Sequence, residues 1–320
     1  MSVDREDEAA ASKLGAHRER INRAVDALCG PSPVADLEFA TRERSKWLPA
    51  RGKIIECAEE LCSVLFPGYY GYREFGGETV CYHIGAKLDH IACVLRSEIV
   101  HATRYVEGFT YSRQYAPPSA VNDIVDGFID SLPEVKRKLL LDARASYEWD
   151  PAVAIPEAPI FCYPNMRAMM VYRTAHELYN RGVPFIPRIM TEYAHTLTGI
   201  DIHPGAQIGE SCFIDHGTGV VIGQTCELGD RVRLYQGVTL GVKRFELDDT
   251  GRPKKGVPRH PVLEDDVVVY AMATILGRVT VGRGSVIGAN VLLTSSVPPG
   301  SMIVQQPSRI NRANKNNKSA

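Results

Sequence analysis

The most regular feature of the chain is a six-residue spacing of aliphatic side chains in its carboxyl-terminal part. The spacing begins at Ile202, Ile208 and Ile214, shifts by two residues, and continues at Ile222, Leu228, Leu234, Leu240, Leu263, Val269, Ile275, Val281 and Ile287. A unit this short cannot bury its apolar face alone and must stack on its neighbours, which is typical of a β-helix. We therefore predict a triangular prism of parallel strands with these side chains inside. An ordinary β-sandwich would show alternation with a period of two instead.

Small side chains and glycines follow the same period. The position four residues after an aliphatic residue holds Ala206, Cys212, Thr218, Cys226, Val232 and Val238. Glycines that we expect near the corners of the prism are Gly209, Gly223, Gly229, Gly277, Gly282 and Gly288. Three hexads would complete one coil of about eighteen residues.

Two interruptions break the six-residue period. The first, between Ile214 and Ile222, contains Asp215 and His216; the second spans residues 241–262 and ends in Arg259-His260-Pro261. Insertions in a solenoid project onto one face and often carry its function. The chemistry of the protein is therefore expected at these two places.

The amino-terminal part has the three-and-four spacing of amphipathic helices. We predict helices over 54–65, 84–106, 121–140, 165–180 and 187–197, with Pro133 at a break in the third. The expected fold class is α+β: an all-helical domain over residues 1–198, a β-helix over 199–305 and a disordered polar tail over 306–320.

Composition narrows the functional classes. A formal net charge of −1 gives no basic surface for nucleic acid, and no run of about twenty apolar residues suggests a membrane span. The acidic, polar start is unlike a signal peptide, which favours a cytoplasmic protein. In that reducing compartment the cysteines are expected to be buried free thiols, as at Cys57, Cys62, Cys93, Cys212 and Cys226.

Five motifs, in this order, resemble the serine O-acetyltransferases. They are Asp150-Pro151-Ala152, Asp201-Ile202-His203-Pro204, Ile214-Asp215-His216-Gly217-Thr218-Gly219, Tyr235-Gln236-Gly237-Val238-Thr239-Leu240-Gly241 and Arg259-His260-Pro261. The resemblance implies a left-handed β-helix after the helical domain. It also implies acetyl transfer from acetyl-CoA to the hydroxyl of L-serine, the first step of cysteine biosynthesis.

Acetyl transfer to an alcohol needs a base that removes the hydroxyl proton, and histidine is suited to this at neutral pH. We assign this role to His216. Asp201 lies fifteen residues earlier, nearly one coil back, where it could orient the imidazole, and the resemblance assigns it the same role. His260 would contact the hydroxyl or share the role of base.

An amino-acid acceptor needs contacts for its ammonium and its carboxylate. Asp150 and Asp215 suit the ammonium, and Arg259 suits the carboxylate through its bidentate guanidinium. L-cysteine, which resembles L-serine in size and charge, is expected to inhibit at the same contacts.

We expect no tightly bound cofactor and no metal, with acetyl-CoA as co-substrate. The coenzyme would lie in a groove between adjacent prisms of a homotrimer, which could pair into a dimer of trimers. The resemblance marks Gly241 and Ala271 for close backbone approach, and Lys243 and Arg278 are among the candidate cations for the phosphates.

The carboxyl terminus bears on one partner of the family. Many of these enzymes bind the next enzyme of cysteine synthesis through a carboxy-terminal isoleucine, whereas this chain ends in Ala320. A tight complex with that enzyme is therefore not expected.

Three alternatives remain open at this stage. One is acetylation of another small hydroxyl acceptor, such as homoserine or a sugar, because Gln224 and Val242 depart from the residues common in the family. Another is a non-catalytic trimeric scaffold. The third is a zinc site of the carbonic anhydrase type at His203, His216 and His260, whose spacing does not favour it.

Overall fold

The computed structural model describes residues 3–30, 45–71, 77–107 and 115–306. The chain divides into two compact units, one up to Lys46 and one from Trp47 onward. In the first unit, α1 spans Val3–Cys29, and its described side chains are exposed. The tail predicted to be disordered lies outside the described residues from 307 onward.

The described part of the second unit begins with six α-helices. They are α2 (Arg51–Leu65), α3 (Gly77–Val106), α4 (Val121–Trp149), α5 (Ala158–Cys162), α6 (Pro164–Asn180) and α7 (Ile186–Thr198). The predicted helices are confirmed, but the predicted break at Pro133 is wrong because α4 passes through this residue. Pro133 is exposed, so water can reach the backbone carbonyl that its ring leaves without a partner.

Up to residue 306, where the described part of the chain ends, fourteen short strands follow the helices. They are β1 (Asp201–Ile202), β2 (Gln207–Ile208), β3 (Phe213–Ile214), β4 (Val221–Ile222), β5 (Glu227–Leu228), β6 (Arg233–Leu234), β7 (Thr239–Gly241), β8 (Val262–Leu263), β9 (Val268–Val269), β10 (Thr274–Leu276), β11 (Thr280–Val281), β12 (Val286–Ile287), β13 (Leu292–Leu293) and β14 (Met302–Ile303). They form three parallel sheets: sheet A is β1-β4-β7-β10-β13, sheet B is β11-β8-β5-β2 and sheet C is β14-β12-β9-β6-β3. The chain passes from A to B to C in each of the first four coils and from A to C in the last, which makes a parallel β-helix.

The repeat residues form the interior of the prism, with one correction. Every predicted aliphatic position from Ile202 to Ile287 is buried. Of the predicted small positions, Thr218 is exposed, and Val220 fills the slot instead. The two-residue slip that contains His216 moves the inward position along the chain by the same two residues.

Buried polar contacts attach the helices to the first coil. The guanidinium of Arg173 on α6 binds the carboxylate of Asp142 on α4 and donates to the carbonyl oxygen of Gly209 at 2.8 Å. Asp142 also accepts the backbone N–H of Cys212 at 3.0 Å. The side chains of α2–α7 and of the coils belong to one continuous hydrophobic core. This packing fixes where the helix ends lie beside the prism.

The cysteines are all free thiols. Cys57, Cys62, Cys212 and Cys226 are buried as expected, but Cys93 is exposed because α3 turns the adjacent face, with Ile91 and Leu95, toward the core. Among the described helices, none is long and apolar enough to cross a membrane.

Candidate active site

His216 lies at the corner where the chain passes from sheet C to sheet A, here called the CA corner. This corner comprises residues 215–220, 235–238, 270–273 and 288–291 in successive coils. His216 has φ +56° and is followed by Gly217 at φ +81°, which lies so close to Ile200 that a Cβ could not be accommodated. A non-glycine residue in the left-handed region is uncommon and occurs often at functional sites. The turn leaves the imidazole 72% exposed.

Two carboxylates meet beside this imidazole. The Oδ2 atom of Asp215 lies 3.8 Å from Nε2 of His216. Burial raises the pKa of Asp215, as does the nearby charge of Asp150, while His216 lowers it. Asp150 follows the last residue of α4, and its Oδ1 accepts the backbone N–H of Ala152 at 2.8 Å. A site with two adjacent carboxylates suits a cationic group.

Tyr163 and Tyr235 lie near these carboxylates and Tyr270 packs on Tyr235, and sequence reasoning assigned a role to none of the three side chains. The hydroxyl of Tyr163 donates a hydrogen bond to Oδ2 of Asp150. Tyr235 and Tyr270 stack with ring centroids 5.0 Å apart. Each of these two residues directly follows a strand of sheet C, as Asp215 does, so their equivalent places in the repeat could have identified them. The pKa of Tyr235 is raised by burial, by Tyr270 and by Asp215.

Among the described residues, Asp201 forms no hydrogen bond or ion pair with His216. It lies on β1 and pairs with Val221 on β4, the strand that follows His216 one coil later. Its Oδ1 instead accepts a hydrogen bond from Nη1 of Arg188 on α7 at 3.3 Å. Arg188 also pairs with Glu192 on the same helix.

Arg259 and His260 lie at a different corner, where the chain passes from sheet A to sheet B. This AB corner comprises residues 203–206, 223–226, 242–261 and 277–279. Nη2 of Arg259 donates to Oε1 of Gln224 at 2.8 Å, and Nε2 of Gln224 donates to the hydroxyl of Tyr179 at 3.0 Å. Sequence reasoning did not anticipate the role of Gln224 and Tyr179 in orienting this guanidinium.

His260 is buried and has a defined tautomer. Its Nδ1 accepts the backbone N–H of Thr225 at 3.2 Å, so the neutral ring carries its proton on Nε2. Gly223 makes room for the ring, since a Cβ there would lie 2.2 Å from Nε2. Burial, Arg259 and Arg278 lower the pKa of His260 to about 4. The ring is therefore neutral near pH 7 and presents an N–H donor.

A cavity of about 690 Å³ lies beside Arg259, between residues 252–256 and helices α6 and α7. Its walls include His203, Gln224 and Phe245. The volume exceeds that of a small amino acid and is within the range of ligand pockets.

The residues expected to bind the coenzyme also divide between the two corners. Gly241, at the end of β7, and Lys243 and Arg278 lie on the AB side, whereas Ala271 lies at the CA corner. Arg278 donates to Oε1 of Glu227 at 2.5 Å, and Nζ of Lys243 donates to the carbonyl oxygen of Thr294 at 3.4 Å. Within the described ranges, no group of three or more His, Cys, Asp or Glu is placed to hold a metal ion.

Comparison with known proteins agrees with this architecture. The pattern of the bacterial transferase hexapeptide family (six repeats) matches residues 260–295. The chain is 50% identical over 262 residues to a plasmid-encoded serine acetyltransferase of Synechococcus elongatus, covering 81% of this chain and 82% of that protein. It is 44% identical over 169 residues to the serine acetyltransferase of Mycobacterium tuberculosis, and the match covers 53% of this chain and 70% of that protein.

Solved structures show the same fold. Serine acetyltransferase 1 of Entamoeba histolytica in complex with L-cysteine has a TM-score of 0.68 at 34% identity, covering 78% of this chain and 86% of that chain. The Neisseria gonorrhoeae serine acetyltransferase in complex with serine has a TM-score of 0.51 at 25% identity. The match covers 79% of this chain and 95% of that chain.

These findings define the class as a hexapeptide-repeat transferase with a helical amino-terminal part and a left-handed parallel β-helix, which confirms the predicted fold class. The chain belongs to the serine acetyltransferase family, a family of acyltransferases.

Proposed function

We propose that this protein transfers the acetyl group of acetyl-CoA to the hydroxyl of L-serine, giving O-acetyl-L-serine and CoA. The observation that carries the proposal is that the imidazole of His216 and the carboxylate of Asp215 lie together at the CA corner, with the charge of Asp150 acting on Asp215. The names of its relatives, and the serine and cysteine in related structures, support an amino-acid acceptor.

His216 would act as the general base. The strained turn exposes its imidazole, which leaves a ring nitrogen accessible to a serine hydroxyl. Proton removal and attack of the hydroxyl oxygen on the thioester carbonyl would release the thiolate of CoA, which is then protonated. Asp201 would orient the imidazole after exchanging its contact with Arg188 for one with His216.

The remaining polar groups match the two ends of serine. Asp150 and Asp215 would bind the ammonium, and its positive charge would relieve the repulsion between them. Arg259, held by Gln224, would bind the carboxylate. A neutral His260 with a proton on Nε2 suits a hydrogen-bond donor to the acceptor or the thioester oxygen better than a second base.

The two groups of residues require two copies of the chain. His216 lies at the CA corner, before the strands of sheet A, and Arg259 at the AB corner, after them. Ala271 and Gly241 are divided in the same way. A site that contains all four forms if the CA corner of one prism faces the AB corner of the next. In the homotrimer that we propose, closed cyclic symmetry would give three equivalent sites and an intersubunit groove for acetyl-CoA.

An acceptor screen tests the reaction. Purified protein is mixed with acetyl-CoA, and the release of free thiol is followed with L-serine, L-homoserine and a set of sugars. We expect L-serine to give the highest kcat/KM. We also expect L-cysteine to inhibit the reaction by competing with L-serine. Higher kcat/KM for homoserine or a sugar would overturn the assignment of the acceptor. No thiol release with any acceptor would favour a non-catalytic scaffold.

A further inference from the structure

Tyr163 occupies a rigid position between two helices. It follows the last residue of α5 and precedes Pro164, the first residue of α6. A residue before proline is held in the extended region, and Tyr163 has φ −89° and ψ 132°. Its backbone N–H donates to the carbonyl oxygen of Pro159 at 3.1 Å. The side chain therefore leaves the helix junction in a fixed direction.

The hydroxyl of Tyr163 is the second of two hydrogen-bond donors to the carboxylate of Asp150. One carboxylate oxygen of Asp150 accepts the backbone N–H of Ala152, and the other accepts the hydroxyl of Tyr163. Asp150 lies just beyond the last turn of α4, where one rotation about its side-chain bonds would turn the carboxylate away. With a donor on each oxygen, its plane is fixed relative to Asp215.

The protonation state of Tyr163 is suited to this contact. Burial, Asp150 and Asp215 raise the pKa of Tyr163 to about 12. The phenol therefore stays a proton donor over the pH range in which an acetyltransferase would work. An ammonium group bound between Asp150 and Asp215 would meet a carboxylate already held by two donors.

We propose that Tyr163 is a positioning residue that selects acceptors bearing an ammonium group, by holding the carboxylate of Asp150 toward that group. This inference rests on the proposed function and extends it to a residue that the family motifs do not include. Tyr163 acts through Asp150 and takes no part in proton transfer. Its loss weakens recognition of the amino acid and leaves recognition of acetyl-CoA intact.

The test compares Tyr163→Phe with a matched control in the full-length protein. Tyr193→Phe removes another tyrosine hydroxyl that donates to a carboxylate, that of Glu59 at 2.5 Å, among the helices. We expect Tyr163→Phe to raise the KM for L-serine about tenfold, the effect of one hydrogen bond to a charged group. In the same variant, kcat and the KM for acetyl-CoA are expected to change less than about twofold. Tyr193→Phe is expected to leave kcat and both KM values unchanged. A fall in kcat with no change in the KM for serine would overturn the proposal.

A double-mutant cycle separates positioning from a general structural effect. In the Asp150→Asn background, Tyr163→Phe is expected to change kcat/KM for L-serine less than about twofold, because the carboxylate through which it acts is gone. An equal loss in both backgrounds would show that Tyr163 acts independently of Asp150.

The same variants distinguish failure of this inference from failure of the proposed function. If the wild-type protein releases no thiol with L-serine, the proposed function fails. Binding of L-serine and L-cysteine to wild type and Tyr163→Phe is then measured by calorimetry. Equal affinities, or no binding by either protein, would overturn the role of Tyr163.

Discussion

At the scale of single residues, the exposed imidazole of His216 has the clearest chemical consequence. Removing a general base lowers the rate by about two to four orders of magnitude. We therefore expect His216→Ala to reduce kcat by that factor while leaving the fold intact, since the side chain is exposed. His195→Ala, which removes a half-buried histidine of α7 outside the described site, is the control. Turnover near the wild-type rate in His216→Ala would exclude this residue as the base.

The buried imidazole of His260 links stability to pH. Its pKa is about 4 in the folded chain and near 6.5 when unfolded, so the unfolded chain takes up the proton first as pH falls. The resulting stabilisation is present above pH 6.5 and is lost progressively toward pH 4. From pH 7.5 to 5, the loss is about 2 kcal/mol.

Urea titrations at both pH values measure this contribution. We expect the wild-type free energy of unfolding to fall between pH 7.5 and 5 by about 2 kcal/mol more than that of His260→Gln, which cannot titrate. Equal pH dependence in the two proteins would mean that His260 is readily protonated in the folded state.

At the scale of elements, the helices depend on a buried ion pair for their attachment to the prism. Arg173 is 5% exposed and Asp142 is fully buried, so removing the cation leaves a carboxylate without its charged partner. Arg173→Met is expected to lower the free energy of unfolding by about 3–5 kcal/mol. Arg137→Met also removes a contact between α4 and the prism, with Glu210, but at the surface, and should cost less than about 1 kcal/mol. Similar losses of unfolding free energy in the two variants would show that the buried ion pair contributes no more than the surface one.

The elements also show how far the sequence predicts the structure. The six-residue period determined the strands because each inward side chain must be apolar, and the helices were visible in their own spacing. The exposure of Thr218 was not predicted, because the two-residue slip at His216 hides which residue returns to the interior. The contact of Asp201 with Arg188 was also missed, since it depends on how α7 approaches β1 in three dimensions. Tyr163 has no repeat or motif to mark it.

At the scale of the whole molecule, the division of the site between two corners gives a test that a single-chain site would fail. In the proposed trimer, His216→Ala damages the CA corner of its own chain and Arg259→Ala the AB corner of its own chain. A mixed trimer therefore contains interfaces at which an intact CA corner meets an intact AB corner.

Co-expression of the two inactive variants measures this complementation. With random assembly of equal amounts, half of the chains carry an intact His216 and half an intact Arg259, so about one quarter of the interfaces are complete. We expect about a quarter of the wild-type activity from the mixture, and almost none from either variant alone or from the two mixed after separate purification under conditions that prevent exchange. Sedimentation checks that both variants remain trimers. If the co-expressed mixture is as inactive as its components, while its subunits are shown to mix, each site lies within one chain and the trimeric groove is wrong.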